Sequence, residues 1–211
     1  YHYYDTDIIH TNIPHDTIHK EESDMVYSLE DLKKAYNKGQ HYKFLFFWGH
    51  TPDSGGRITE TCLSQWWMAR FEVDGITYSC AEQFMMAEKA RMFHDEEMLS
   101  LILEAKQPKA MKAYGRSVRD FDKGTWDHAC YGIVKQASMA KFSQNPELWE
   151  FLRSTRNRIL VEASPRDRIW GIGMGKSNPD AQCPLKWKGT NLLGFALTEA
   201  RDILMGQEKE V

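Results

Sequence analysis

The sequence lacks the features that would assign it to a membrane, secreted or metal-binding class. Its 211 residues contain no run of the roughly 18 apolar residues that a transmembrane helix needs. The four cysteines stand far apart without a C-x-x-C pair, which argues against a zinc knuckle or a thioredoxin-type motif. Residues 1–20 lack the apolar centre of a secretion signal. These absences favour a cytosolic (cytoplasmic) protein with reduced thiols and no membrane partner.

An excess of positive charge is also missing. The formal net charge of −3 and the pI near 6.3 give no global basic field, so binding of duplex DNA through bulk electrostatics is not expected. A local basic groove remains open as an alternative. Hydrophobic residues make up 42% of the chain and aromatic residues 12%, enough to bury one good core. We therefore expect one globular domain preceded by an N-terminal extension.

The extension is predicted to cover residues 1–40 and to contain one short helix that begins after Ser28 as its N-cap. Upstream of this helix, His15 and His19 have the spacing of two metal ligands on one helix face. The surrounding sequence is polar and unpatterned, which is more typical of a mobile tail. No metal site is predicted here.

The domain is predicted to cover residues 41–207 and to have a helix-rich α+β fold. The segments "KFLFFW" and "RILVEA" are typical of buried strands, and the alternating sequence around Asp74-Gly75 predicts a short β-hairpin. Helices fill most of the rest, and the last of them is predicted to end at Gly206. The elements form a single compact domain without repeats.

One predicted helix, "YSCAEQFMMAEKARMF", carries two opposite charges among apolar residues. Seven positions are close to two helical turns, so Glu82 and Lys89 lie on one line about 10 Å apart along the axis. A small ligand could bind between their carboxylate and amine. Alternatively, "SCAE" is a capping box in which Glu82 accepts from the Ser79 backbone N–H, and Lys89 extends its amine from the edge of an apolar stripe.

The irregular segment "SPRDRIWGIGMGKS" supplies a second group of candidates. A Walker loop would need glycine where Trp170 stands, so a nucleoside-triphosphatase loop is not favoured. Asp167 and Trp170 remain site candidates, because long loops in compact domains are usually functional. The backbone N–H groups at Gly171 and Gly173 could approach a phosphate or sugar closely. A merely flexible loop is the alternative.

A third group opens the long helix in "KGTWDHACYG". Trp126 and Asp127 occupy its first turn, beside its exposed N–H groups and the positive end of the helix dipole. Both also have structural explanations, because helix electrostatics favour an acid there and a tryptophan can anchor the core. Lys141, at the other end of this helix, is likewise explained by the helix dipole.

Six segments of the sequence, taken in order, resemble the NADAR superfamily, and particularly its YbiA-like N-glycosidases. These segments are "YSCAEQFMMAEKA", "YGR", "WD", "MAKF", "LVEASPRDRIWGIG" and "GTNLLGFALTEARDIL". The resemblance implies an α+β YbiA-like domain that hydrolyses the bond between ribose and an amine, without a cofactor or metal. Such proteins act on aminopyrimidine ribose phosphates of riboflavin biosynthesis or remove ADP-ribose from guanine in nucleic acid. The latter often act as counterparts of a toxin-like ADP-ribosyltransferase.

The resemblance also assigns residues. It implies catalytic roles for Glu82, Lys89 and Asp167, and substrate-binding roles for a further set: Trp126, Asp127, Trp170, Gly171, Gly173 and Asn191. A carboxylate beside the anomeric carbon would stabilise positive charge and a carboxylic acid would protonate the leaving amine, with Glu82 and Asp167 as candidates for either role. Lys89, among methionines, fits an amine nucleophile better than Lys141 does.

The sequence departs from the family pattern in places that affect the substrate. The family's F-S-N-F element is Leu63-Ser64-Gln65-Trp66 here, and Gln83-Phe84 replaces the common His-Tyr. The segment Gly175–Lys188 is long and carries lysines, which would suit a larger anionic substrate such as ADP-ribosylated nucleic acid: Lys176, Lys186 and Lys188. A non-catalytic reader of ADP-ribose or nucleotide is the rival class, and the retained acids favour the enzyme.

Overall fold

The computed structural model describes residues 25–209, so the predictions for His15 and His19 lie outside the described residues. Seven α-helices and four β-strands make up this range: α1 Leu29–Asn37, β1 Phe44–Phe47, β2 Phe71–Val73, β3 Ile76–Tyr78, α2 Ala81–Met92, α3 Glu96–Glu104, α4 Pro108–Arg116, α5 Lys123–Ser143, α6 Pro146–Ser154, β4 Ile159–Glu162 and α7 Leu192–Lys209. Short 3₁₀ helices cover Glu60–Leu63, Pro179–Gln182 and Pro184–Lys186. The predicted helix-rich α+β fold is confirmed.

The strands form two separate sheets of two strands each. β1 and β4 pair in parallel, with Phe44 opposite Ile159 and Phe47 opposite Glu162. β2 and β3 form the predicted hairpin, and its turn residues Asp74 and Gly75 have φ angles of 50° and 76°. Two successive residues with positive φ match the twist of a tight antiparallel hairpin.

Helix α2 lies at the centre of the core. Eight of its twelve residues are buried, including the consecutive run from Ala81 to Ala87. The apolar ones pack in one cluster with the apolar faces of α5 and α7. A second cluster covers the other face of β4 and includes Leu32 and Ala35 of α1. Between residues 25 and 209, the model contains no helix with the length and apolarity needed to cross a bilayer.

Side chains and loop backbone satisfy the edge of β4 that faces away from β1. The backbone N–H of Leu160 donates to Thr198 Oγ1 at 3.1 Å, and its carbonyl accepts from Asn191 Nδ2 at 3.0 Å. The N–H of Glu162 donates to Asn191 Oδ1 at 2.9 Å, and its carbonyl accepts from the Ile172 N–H at 2.9 Å. Helix α7 and its preceding loop thus replace a third strand, which leaves none of these four groups unpaired.

This arrangement requires α7 to lie very close to β4 at Gly194. A Cβ atom on Gly194 would stand 2.1 Å from the Leu160 carbonyl oxygen and 2.4 Å from Asn191 Oδ1. The predicted end of α7 at Gly206 is wrong, because the helix continues to Lys209. Gly206 is exposed with nothing near it, and it does not adopt the positive φ that a helix-terminating glycine uses.

We expect Gly194→Ala to lower the free energy of unfolding by about 1–3 kcal/mol, because the added methyl group must push α7 away from β4. Gly206→Ala is the matched control on the same helix. It should be neutral or stabilising by up to about 1 kcal/mol, because alanine has the better helix propensity and meets no neighbour. Urea unfolding of both variants measures the difference, and equal stabilities would contradict the close contact.

Candidate active site

Five of the predicted site residues surround one cavity of about 160 Å³, where α2, α4, α5 and α7 converge on the end of β4: Glu82, Lys89, Trp126, Asp167 and Trp170. Met85, Met86 and Leu193 supply apolar wall. The side chains come from elements far apart in sequence, so the cavity exists only in the folded chain. Polar and charged side chains make up more than half of its lining and converge on the same space as this apolar wall, as in a site that orients a small polar molecule.

Glu82 projects from the first turn of α2 and is 2% exposed. Its Oε1 atom has no hydrogen-bond partner among the described residues. Burial raises the pKa of this carboxyl, and the nearby positive charges of Lys112 and Arg116 act in the opposite direction. A deeply buried carboxyl group with an unused oxygen is therefore available to a bound molecule.

The capping-box alternative for Glu82 is wrong. The Ser79 N–H and hydroxyl both donate to Gln83 Oε1, at 2.7 and 2.8 Å. Gln83 performs the capping contact one position later because α2 begins at Ala81, after Cys80 as N-cap. This leaves the side chain of Glu82 directed into the cavity.

Lys89 lies two turns along the same helix. Its Nζ atom donates to the Gly115 carbonyl at 2.8 Å and stands 4.0 Å from the ring centroid of Phe121 and 5.7 Å from that of Trp126. Burial lowers the pKa of this amine, and the charge of Arg116 lowers it further. Burial and the Arg116 charge thus favour a larger share of the neutral amine, which is the nucleophilic form.

Asp167 and Trp170 enter the cavity from the loop that follows β4. Asp167 Oδ1 accepts from the backbone N–H groups of Ile169 and Trp170, at 2.8 and 2.7 Å. The N-terminal end of α7 binds the same loop, because the Leu193 N–H donates to the Trp170 carbonyl at 3.1 Å. The carboxylate is thus fixed by the loop that it helps to fold.

Three charged residues of the cavity were not predicted: Lys112, Arg116 and Glu162. Lys112 and Arg116 lie one turn apart on α4, and neither forms an ion pair within residues 25–209. Glu162 ends β4, and burial raises its pKa to about 7, supported by the charges of Asp167 and Glu82 and opposed by Lys112. The sequence offered one signal for Glu162, which is the acid in the apolar strand "ILVEA". Side chains alternate along a strand, so Glu162 lies on the same face as the buried Leu160.

Four predicted substrate-binding residues do not line the cavity: Asp127, Gly171, Gly173 and Asn191. Asp127 is exposed and pairs with Lys123 one turn earlier. A Cβ on Gly171 would stand 2.8 Å from the Glu162 carbonyl oxygen, and Gly173 has φ of 67°. The Asn191 side chain is hydrogen-bonded to β4. Gly171, Gly173 and Asn191 therefore hold the backbone around the site.

Lys141 is 1% exposed rather than lying at a solvated helix end, so the helix dipole alone does not explain it. Its Nζ donates to the carbonyls of Cys62 and Ser64, at 2.6 and 2.9 Å, and burial lowers its pKa to about 8. Ser64 lines the cavity but Lys141 does not. Lys141 therefore fixes the segment that carries Ser64.

A larger cleft of about 710 Å³ lies where residues 25–27 meet α7. Its buried charge is already satisfied: Arg201 pairs with Asp202 at 2.8 Å and donates to the Arg158 carbonyl at 2.6 Å. Tyr27 donates to Asp202 at 3.1 Å. The smaller cavity is the stronger candidate because its carboxyl groups have unused oxygen atoms.

The family model described as "NADAR domain" matches residues 46–205 of this chain. The chain belongs to the NADAR family. It is 38% identical over 165 residues to N-glycosidase R617 of Acanthamoeba polyphaga mimivirus, covering 76% of this chain and 95% of that protein. It is also 31% identical over 133 residues to N-glycosidase YbiA of Escherichia coli strain K12, covering 63% of this chain and 74% of YbiA.

A solved structure supports the same family fold. The NMR structure of E. coli YbiA superposes with a TM-score of 0.65 at 26% sequence identity, covering 82% of this chain and 90% of that chain. The NADAR match begins within β1 and ends within α7, and it includes every residue that lines the cavity. The cavity therefore belongs to the NADAR domain itself.

We expect Glu162→Gln to change how stability depends on pH. In the wild type, the neutral carboxyl contributes stability that is complete below pH 4.5, its ordinary pKa, and is lost as pH rises through about 7. At pH 8 the variant should therefore be more stable than the wild type by up to about 3 kcal/mol, at 1.36 kcal/mol for each pH unit between the two values. At pH 4 the two proteins should differ little.

Urea unfolding at several pH values measures this difference. Glu147→Gln, on an exposed position of α6, is the control and should show the wild-type dependence on pH. A Glu162→Gln curve parallel to the wild-type curve would contradict a buried carboxyl at this position.

Proposed function

We propose that this NADAR protein is an N-glycosidase that removes ADP-ribose from ADP-ribosylated guanine in nucleic acid. The bond to be hydrolysed joins ribose to an exocyclic amine of the base. The observation that carries the proposal is the convergence of Glu82, Asp167 and the Lys89 amine on one sugar-sized cavity. The enzyme class, a hydrolase acting on N-glycosyl bonds, is that of the relatives named N-glycosidase.

The cavity supplies what this reaction needs. Cleavage develops positive charge on the sugar, which a nearby carboxylate stabilises, and the departing amine needs a proton from an acid. Glu82 and Asp167 reach the cavity from different elements, α2 and the loop after β4. The surrounding low-polarity wall strengthens these electrostatic interactions relative to water.

Positive charge at the cavity supports a phosphate-bearing substrate. Lys112 and Arg116 line it without ion-pair partners in the described part of the chain. Trp126 and Trp170 also line it, and stacking of a base on an aromatic ring is worth about 1–3 kcal/mol. A ribose bearing phosphate on one side and a purine on the other satisfies both sets of residues.

The lysines of Gly175–Lys188 contribute less than the sequence suggested. Lys186 pairs with Asp180 at 2.6 Å, and Lys176 stands 4.0 Å from Glu60. Lys188 is exposed and is available to a nucleic acid strand outside the cavity. The cations of α4 therefore supply the nearer attraction for an anionic substrate.

Two alternatives are tested by the same assay. An N-glycosidase of riboflavin-biosynthesis intermediates would act on ribosylaminopyrimidinone phosphates, which share the ribose, the amine and the phosphate. The size of the cavity favours this smaller substrate. A non-catalytic ADP-ribose reader is less well supported, because buried carboxyl groups such as Glu82 repel phosphate and have no evident use in a reader.

Lys89 gives the reaction a covalent route. A ribosylamine opens to an imine, which the neutral Lys89 amine attacks, and expulsion of the base amine leaves a Schiff base between Lys89 and the sugar. Water then hydrolyses this adduct and restores the amine. The burial of Lys89 and the neighbouring charge of Arg116 favour the neutral form.

We expect the purified protein to release ADP-ribose from a guanine-ADP-ribosylated oligonucleotide in the presence of EDTA. The Glu82→Gln variant should lose at least about a hundredfold in rate, the lower end of what acid–base groups contribute. Chromatography of the products, with the ribosylaminopyrimidinone phosphate assayed in parallel, measures both activities. Turnover of the small phosphate alone would favour the metabolic alternative, and binding of ADP-ribose without turnover would favour the reader.

We also expect borohydride reduction during turnover to add the mass of the reduced sugar to Lys89. Lys89→Arg is the matched variant, because it keeps a positive charge and length but cannot form an imine. It should show no adduct and a strongly reduced rate. Intact-protein and peptide mass spectrometry locate the adduct, and an unmodified wild type that is still active would indicate direct attack by water.

A further inference from the structure

Glu162 is the one cavity carboxyl that neither the proposed mechanism nor the family resemblance has used. Its Oε2 atom is buried and has no hydrogen-bond partner in the range 25–209. A buried carboxyl oxygen without a hydrogen-bond partner costs folding free energy, unless it binds a ligand or carries a proton. Its neighbours in the cavity are a second such oxygen, Oε1 of Glu82, and the carboxyl of Asp167.

The backbone of Glu162 is held more firmly than that of an ordinary strand end. Its N–H donates to Asn191 Oδ1 at 2.9 Å and its carbonyl accepts from the Ile172 N–H at 2.9 Å. On the other side, the Ala163 N–H donates to the Phe47 carbonyl at 2.9 Å. A side chain mounted on such a backbone keeps a fixed position relative to a bound substrate.

The charges around the two glutamates differ. The positive groups Lys112 and Arg116 both act on Glu82, and of these only Lys112 acts appreciably on Glu162. The negative charge of Asp167 acts on both glutamates, and Glu162 also experiences that of Glu82. Three carboxyl groups that share one cavity do not all ionise together, and the proton is held where cations are fewest.

Asp167 is the least suited of the three to donate a proton. Its Oδ1 already accepts from two backbone N–H groups, of Ile169 and Trp170, which ties the carboxyl group to its own loop. Burial raises the pKa of Glu82 as well, but Glu82 has two neighbouring cations that act against this shift. Glu162 has fewer cations and more carboxyl groups beside it, and burial raises its pKa to about 7, so a substantial share of it carries a proton at neutral pH.

We propose that Glu162 is the general acid that protonates the departing amine, and that Glu82 is the carboxylate that stabilises positive charge on the sugar. The inference rests on the proposed N-glycosidase function and divides the acid and carboxylate roles within that site. It also makes Asn191 a positioning residue, because its amide fixes the backbone of Glu162 without entering the cavity.

The proposed step balances in protons and electrons. When the bond between the anomeric carbon and nitrogen breaks, its electron pair stays on nitrogen, which takes the Glu162 carboxyl proton and leaves as a neutral amine. The anomeric carbon receives the oxygen of water, directly or after the Lys89 adduct. One proton of that water returns to the Glu162 carboxylate through solvent.

The test uses the substrate that the wild type hydrolyses and follows kcat against pH for wild type, Glu162→Gln and Glu82→Gln. The charged groups facing Glu162 are Glu82, Asp167 and Lys112, with Lys89 and Arg116 elsewhere in the cavity. We expect wild-type kcat to fall as pH rises through about 7, because the acid must be protonated. Glu162→Gln should lower kcat at pH 6 by about 10²–10⁴-fold and remove this fall.

A leaving-group series separates proton donation from a structural role. The probes are ribosyl 5-phosphates of aniline and 4-nitroaniline, because the nitro compound leaves with less need of a proton. The ratio of the 4-nitroaniline rate to the aniline rate should be larger in Glu162→Gln than in the wild type. Urea unfolding of the variant at the assay pH shows that it is folded.

Each outcome has a distinct meaning. A wild type that hydrolyses none of the substrates contradicts the proposed function. An active wild type whose fall in kcat near pH 7 persists in Glu162→Gln contradicts only the role of Glu162. If the fall disappears in Glu82→Gln instead, the two roles are reversed and the assignment is overturned. An unchanged leaving-group ratio with a lowered kcat would show that Glu162 is structural.

Discussion

The fold and the cavity depend on how the outer edge of β4 is satisfied. A two-stranded parallel sheet leaves polar backbone groups of β4 without a neighbouring strand, deep inside the protein. The Asn191 amide and the Thr198 hydroxyl supply the missing partners, and Gly194 lets their helix approach closely enough to do so. The same contacts hold Glu162 at the cavity wall, so one set of hydrogen bonds both completes the sheet and orients the site.

Burial of charged side chains is the second constraint on the structure. It gives a reason for the presence of both Glu82 and Lys89 on the otherwise apolar helix α2. Burial favours the neutral form of each group, which raises the pKa of the acid and lowers that of the amine. An acid–base site near neutral pH needs shifts in these directions. They cost folding free energy, and the well-packed surroundings of α2 offset that cost.

The sequence predicted features that are decided within a few residues, such as the turn at Asp74-Gly75 and the cap at Ser28. It also placed Glu82 and Lys89 on one line, because helix geometry fixes that relation. The sequence did not identify Glu162 as a cavity residue. The direction of a side chain at a strand end can be assigned only when the neighbouring elements are known. The capping signal around Glu82 was misleading, since a shift of one residue in the helix start passed the bond to Gln83.

The pairing of β1 with β4 joins segments separated by more than half of the chain, and the last partner of β4 comes from α7. During synthesis, most of the domain leaves the ribosome before Asn191 does, so the strand edge and the cavity wall are incomplete until then. Contacts between such distant segments also form slowly, because long loops must close first. The cavity is therefore completed only after Asn191 has been synthesised, and a chain cut before this residue would lack the Asn191 hydrogen bond that holds Glu162 in place.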